Sequence, residues 1–182
     1  MKNIFILISL FSLLSISIHA QIKFSEDFFQ KMEAMQMEFL QPLEASYKKI
    51  KVKKNLILKY DSAIKAKKED MEIRFALKPE SVPNQFPHMQ ATSMTVSIAT
   101  NEQDTKMVMH EMSKKDLEEY DADWGLTAFF SPKDMFSEKK HCKMISLYKE
   151  GEGMAYVFFL FDKPSEEVDM QKYCLKYATE VK

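Results

Sequence analysis

The segment from Tyr156 to Phe161 limits the fold more than any other part of the sequence. It reads Tyr-Val-Phe-Phe-Leu-Phe, and such a short apolar run is typical of a strand buried on both faces. The run belongs to a predicted strand over Met154–Phe161. A strand over Cys142–Lys149 precedes it, and the four residues between them, Glu-Gly-Glu-Gly, suit a hairpin turn. This pattern predicts an antiparallel sheet with other elements packed on each side.

Elsewhere in the chain, apolar residues recur with a period of two in some segments and close to 3.6 in others. The first period predicts strands over Leu58–Ala66, Met71–Leu77, Thr92–Ile98 and Leu126–Phe130. The second predicts helices over Ser25–Lys54 (bent near Pro42), Glu102–Tyr120 and from Ser165 to the C-terminus. The order α-β-β-β-α-β-β-β-α predicts an α+β fold, a largely antiparallel sheet of about six strands covered by three helices.

The N-terminus has the pattern of a secretory signal peptide. Lys2 precedes an apolar run from Ile4 to Ile18, and Ala20 stands where a signal peptidase would cleave. We expect residues 1–20 to be removed and residues 21–182 to form a single domain that is periplasmic or secreted. The apolar run is short for a membrane span, so no span is expected after cleavage; an uncleaved anchor helix is the alternative.

Scarce glycine and arginine exclude several classes of binding protein. Gly125, Gly151 and Gly153 are the three glycines, so neither a Rossmann fingerprint nor a P-loop can be written. Arg74 is the single arginine, and loss of Lys2 with the signal leaves 25 basic residues against 27 acidic ones. Guanidinium groups usually read bases and grip phosphates, so we expect no nucleic-acid partner.

The two cysteines, Cys142 and Cys174, predict a disulfide. An exported chain meets an oxidising compartment, and the two residues are too far apart for a C-x-x-C redox motif. We expect the bond to tie the C-terminal helix to the sheet. Two buried free thiols are the alternative.

A recognition surface is predicted around the single tryptophan, which follows two aspartates. The segment 121–125 begins like a calcium-binding loop, but Gly125 and Pro132 stand where further ligands are needed. The Pro79–Pro87 loop and the residue after it add the aromatic ring of Phe86 and the imidazole of His88. A partly buried core tryptophan is the alternative. The predicted binding residues are Trp124, Asp123, Asp121, Phe86 and His88.

The predicted function is non-enzymatic: an exported binding or accessory protein of the cell envelope, whose partner is an unidentified protein or small ligand. One alternative is an envelope-acting hydrolase that uses Asp and Glu. The other is a copper-handling protein, because the Met107–Met112 segment is rich in thioethers, which suit Cu(I). Methionine is also an ordinary core residue, and no metal site or cofactor is expected.

Overall fold

A large antiparallel sheet forms the centre of the computed structural model. The structure describes residues 22–40, 47–54, 57–66, 70–81, 86–102, 106–163 and 174–178. Their elements are, in order, α1 (Glu26–Ala34), β1 (Met37–Phe39), β2 (Tyr47–Lys49), β3 (Ser62–Ala66), β4 (Glu72–Pro79), α2 (Pro87–Ile98), β5 (Val108–Glu111), α3 (Lys114–Tyr120), β6 (Trp124–Phe130), β7 (His141–Lys149), β8 (Gly153–Phe161) and β9 (Leu175–Tyr177). The predicted α+β class is confirmed.

In the part of the chain that the structure describes, the large sheet has seven strands in the order β2-β3-β4-β8-β7-β6-β5, and β1 pairs with β9 in a small second sheet. Every described pairing is antiparallel. β8 is the middle strand, between β4 and β7, and all of its residues are buried. The prediction of a central strand covered on both faces is therefore confirmed.

Alternate side chains of the sheet pack into two separate cores. Phe75, Val157 and Phe159 point to one side, where Phe28 of α1 and Tyr177 of β9 cover them. We call this the α1 side. The opposite face, the α2 side, buries side chains of the same strands with the helix α2 and with a loop after β6. Its members include Ala76, Tyr156, Phe158, Ala91, Ile98 and Phe136.

Residues 87–98 form the helix α2, so the predicted strand over Thr92–Ile98 is wrong. Pro87 stands in the first turn, where its missing N–H is not needed. Ala91, Thr95 and Ile98 are buried at a helical spacing, and the Thr95 hydroxyl donates to the Ala91 carbonyl at 2.9 Å. The apolar and β-branched residues of this segment suit the spacing of a strand as well as that of a helix. The helix forms because it buries one face of the segment against the sheet.

Three predicted helices also need correction. α1 ends at Ala34, where the chain turns through Gln36, at a φ of 46°, into β1, so Ser25–Lys54 is not one helix. The predicted helix over Glu102–Tyr120 is divided into the edge strand β5 and the short helix α3. The predicted C-terminal helix is wrong over Leu175–Tyr177, which is β9; residues 164–173 lie outside the described residues.

The predicted disulfide is absent. Cys142 and Cys174 are both free and buried. Cys142 is the second residue of β7 and packs in the core on the α2 side. Cys174 packs in the core on the α1 side, so the sheet separates them. Burial raises the pKa of both thiols, that of Cys174 to about 12. The alternative of two buried thiols is therefore the one that the structure supports.

The predicted signal peptide lies outside the described residues and stays a prediction. None of the helices in the part of the chain that the structure describes is both long and apolar enough to cross a membrane.

Candidate functional site

The structure gives the two predicted binding aspartates structural partners. Asp121 ends α3 in the left-handed conformation, and its carboxylate accepts a 2.7 Å hydrogen bond from Lys149 Nζ. The Asp123 carboxylate accepts the Glu150 N–H at 2.8 Å. Both side chains therefore fasten the end of α3 to the β7–β8 hairpin. Trp124 lies beside them, half-buried, and packs against the core on the α2 side.

Phe86 and His88 lie in a different place, at the start of α2. Their rings meet nearly edge to face, with centroids 6.2 Å apart. Phe86 is 54% exposed, so it offers an apolar surface to a partner. The binding role of these five residues stays a prediction.

A large groove lies next to α1 and β1, and sequence reasoning missed it. It has a volume of about 810 Å³ and lies between the segment before α1, the helix itself and β1. We call it the N-terminal groove. Its lining residues are Ile22, Lys23, Phe24, Ser25, Glu26, Phe29, Met32, Met37, Glu38, Phe39 and Leu40.

Aromatic packing builds the wall of this groove. The Phe24 ring lies 4.8 Å from Phe28 and 4.8 Å from Phe39, centroid to centroid. Phe75 of the central sheet meets the same three rings at 5.8–6.2 Å. These contacts hold the segment before α1 and the strand after it against the sheet, which fixes the two sides of the groove.

The exposed face of α1, which carries Phe29, forms the remaining side of the groove. Phe28 is fully buried, whereas its neighbour Phe29 is 50% exposed, because adjacent positions on a helix point about 100° apart. Leu40, at the end of β1, is also exposed. The sequence signal was the phenylalanine pair. The pair and its neighbours predict one apolar stripe on a long helix, and periodicity does not predict the turn at Gln36 that folds β1 back.

A second cavity, of about 380 Å³, is lined mainly by charged residues beside the α2-side core. At its rim Asp70 accepts from Lys65 and Lys139, each at 2.6 Å, and Lys139 also contacts Asp162 at 2.7 Å. Hydrogen bonds from Lys139 and then Lys65 lower the pKa of Asp70 to about 2, and Lys139 lowers the pKa of Asp162. A general acid needs a raised pKa, so these two carboxyl groups suit ion pairing.

Replacing Lys139 with glutamine should raise the pKa of Asp70 from about 2 toward the ordinary value of 3.8. Lys65→Gln should raise it less, because the hydrogen bond from Lys139 is the largest cause of the shift. Since the folded pKa is depressed, this contribution to stability is complete above pH 4 and is lost as the pH falls toward 2. An NMR titration of the carboxyl carbons checks this, and an Asp70 pKa that stays near 2 in Lys139→Gln would contradict it.

A third cavity, of about 250 Å³, lies between β5, α3 and the sheet. His110, Asp116, Tyr120 and Lys143 are among its lining residues. The Asp116 carboxylate accepts from Ser113 Oγ at 2.6 Å, and Ser113 in turn caps α3. The Asp116 carboxylate therefore takes part in the cap of α3.

The three methionines of the predicted copper segment do not all lie on one side of the sheet. The segment forms a strand, so neighbouring side chains alternate between faces. Met109 packs against the core on the α2 side, and Met112 packs against the core on the α1 side. Within the described ranges, no group of three or more His, Cys, Asp or Glu side chains is placed to hold a metal ion.

Comparison with known proteins assigns no family to the chain. No family model, no curated protein and no solved structure matches it.

Proposed function

We propose that the mature chain is an exported, non-enzymatic binding protein of the cell envelope, and that its ligand is an acyl chain held in the N-terminal groove. The observation that carries this proposal is the composition of the groove. Phenylalanine, methionine, leucine and isoleucine side chains form most of its lining. Ligand sites are typically apolar clefts of about 300–1,000 Å³, and the volume of about 810 Å³ lies within this range.

The partly exposed residues Phe29 and Leu40 support an apolar ligand. Each leaves a large hydrocarbon surface in water, and both line the same groove. Covering that surface with a ligand would gain about 25 cal/mol for each Å² removed from water. A single acyl chain has the shape to lie along such a groove while its polar head stays in solvent.

The polar residues of the groove support binding rather than catalysis. Lys23, Glu26 and Glu38 bring both signs of charge, and Ser25 occupies the N-cap position of α1. The described lining residues contain neither a histidine nor a cysteine, so Ser25 has no imidazole beside it to act as a base. This favours a binding role over serine-type hydrolysis in this groove.

Replacing Phe29 with serine should weaken acyl-chain binding about tenfold or more, because the ring is a large part of the apolar wall. The assay is displacement of a fluorescent fatty acid by palmitate, with butyrate as a short-chain comparison. Palmitate should compete and butyrate should not, since each buried methylene adds about 0.8 kcal/mol.

The matched control is Phe86→Ser, because Phe86 has nearly the same exposure, 54% against 50% for Phe29, but lies on α2. This control should bind normally. Loss of binding in Phe86→Ser alone would move the site to the surface predicted from the sequence. No saturable binding by the wild-type protein would contradict the acyl-chain proposal.

Export makes a separate prediction. The protein recovered from its native cells should begin at Gln21, because Ala20 ends the apolar run that a signal peptidase recognises. Intact-mass analysis of the purified protein measures this directly. A mass that includes Met1 and Lys2 would contradict cleavage and leave the anchor-helix alternative.

A further inference from the structure

We propose that two copies of this chain associate through β5, so that their sheets join across a two-fold axis at Met109. This inference is independent of the acyl-chain proposal. β5 is the last strand of the large sheet in the described part of the chain. Edge strands present backbone groups that can pair with another strand, and proteins usually block them.

The hydrogen-bond register shows which backbone groups of β5 point outward. Met112 N–H donates to Gly125 O at 2.9 Å, which continues the register in which Val108 faces Phe129. In an antiparallel pair, hydrogen-bonded positions alternate with positions whose N–H and C=O point away. Val108 and His110 are therefore bonded to β6, whereas Met109 and Glu111 point outward. By the same alternation, the backbone N–H and C=O of Met107, two positions before Met109, also point outward.

The two edges of the large sheet differ in the residues that protect them. β2 carries Lys48 and Lys49, and Lys51, Lys53 and Lys54 follow it, so that edge is rich in charge. Lysine is a common means of blocking a sheet edge. β5 has the sequence Val-Met-His-Glu and carries no lysine. Of the two edges, β5 is the one open to pairing.

Exposed apolar side chains flank the β5 edge on both faces of the sheet. Val108 and Phe129 form a cross-strand pair on the α1 side and are 42% and 40% exposed. On the α2 side Met107, 42% exposed, lines a small cavity of about 180 Å³ with Val96. An added strand places side chains on both faces of the sheet, so it would cover both groups.

A second copy of β5 fits this edge. With Met109 opposite Met109 of the second copy, Met107 lies opposite Glu111 and Val108 lies opposite His110. All three outward-pointing positions then pair at once, with about six backbone hydrogen bonds. Lys106 and Glu111 carry opposite charges at the two ends of the segment. In the antiparallel arrangement the Lys106 end of one copy lies beside the Glu111 end of the other. The segment is therefore complementary in charge to a second copy of itself, as an isologous two-fold interface requires.

The test is the self-association constant, measured by analytical ultracentrifugation over a range of protein concentrations. The short strand predicts a weak dimer, so the series extends to high concentration. In the proposed register Met107→Glu places like charges opposite each other at two symmetric positions, whereas Met107→Lys places unlike charges there. The first should weaken the dimer about tenfold and the second should strengthen it. A wild-type monomer at every concentration, or equal effects of the two variants, would overturn the proposal.

Cysteine cross-linking tests the register itself. Met109→Cys puts two cysteines on the two-fold axis, where opposed Cα atoms lie about 5.5 Å apart, within disulfide range. Oxidation should give a covalent dimer. His110→Cys is the control, because its copies are offset by two positions and lie about 8 Å apart, beyond that range. Cross-linking of His110→Cys but not Met109→Cys would overturn this register. The native Cys142 and Cys174 are buried in the folded protein, so they should not take part.

Discussion

Replacing Gly153 with alanine should destabilise the folded protein by at least about 3 kcal/mol, through strain and a backbone clash. Gly153 begins β8 with a φ of +124°, a conformation that L-residues rarely adopt. An added Cβ would overlap the Lys78 carbonyl oxygen and lie 2.7 Å from the Glu80 nitrogen. Both atoms belong to the backbone of β4 and its end, so no side-chain rotation can relieve the contact.

The clash would occur where the two central strands of the sheet meet. Pro79 is paired with Gly153, and Glu80 N–H donates to Glu152 O at 3.0 Å just beyond them. Relief requires the end of β4 to move away from β8, which breaks these contacts.

Gly151→Ala is the matched control, because it changes the same turn by the same methyl group. Gly151 has a φ of +80°, and a Cβ there would meet nothing within 4 Å. We expect a loss of about 1 kcal/mol from the backbone preference alone. Urea unfolding followed by circular dichroism measures both variants, and equal losses would show that the contact with β4 is not decisive.

Replacing Arg74 with methionine should lower the free energy of unfolding by about 3–5 kcal/mol, because it breaks a buried charged network. Arg74 is 4% exposed, and its guanidinium lies 4.8 Å from the centroids of both Tyr60 and Phe136. Nε donates to Glu72 at 2.6 Å, and Nη1 donates to the Phe136 carbonyl. The single arginine thus joins β4 to the loop that covers the α2-side core.

The double variant Glu72→Gln/Arg74→Met separates the effect of charge from that of packing. The single change leaves the Glu72 carboxylate, whose side chain is 15% exposed, without its cation. Removing that charge as well should restore part of the lost stability, since an uncompensated charge is the costly element. Urea unfolding measures the three proteins. A double variant less stable than Arg74→Met would show that packing against Tyr60 and Phe136 dominates.

The sequence by itself predicted three consecutive strands of the large sheet. β6, β7 and β8 follow the predicted segments closely, because their apolar residues are buried by strands next to them in sequence. The hairpin glycines marked the turn between β7 and β8. Local pattern was sufficient there, since a strand buried on both faces admits few other structures.

Contacts between distant segments decided the rest. Thr92–Ile98 fits a strand or a helix, and packing across the sheet made it a helix. The sequence predicts a disulfide between Cys142 and Cys174, but the tertiary structure places the sheet between these two residues. The N-terminal groove depends on the turn at Gln36, which returns β1 to pair with β9 from the far end of the chain. Periodicity shows which residues are buried, but the partner that buries each one is set by long-range packing, and that packing also forms the proposed site.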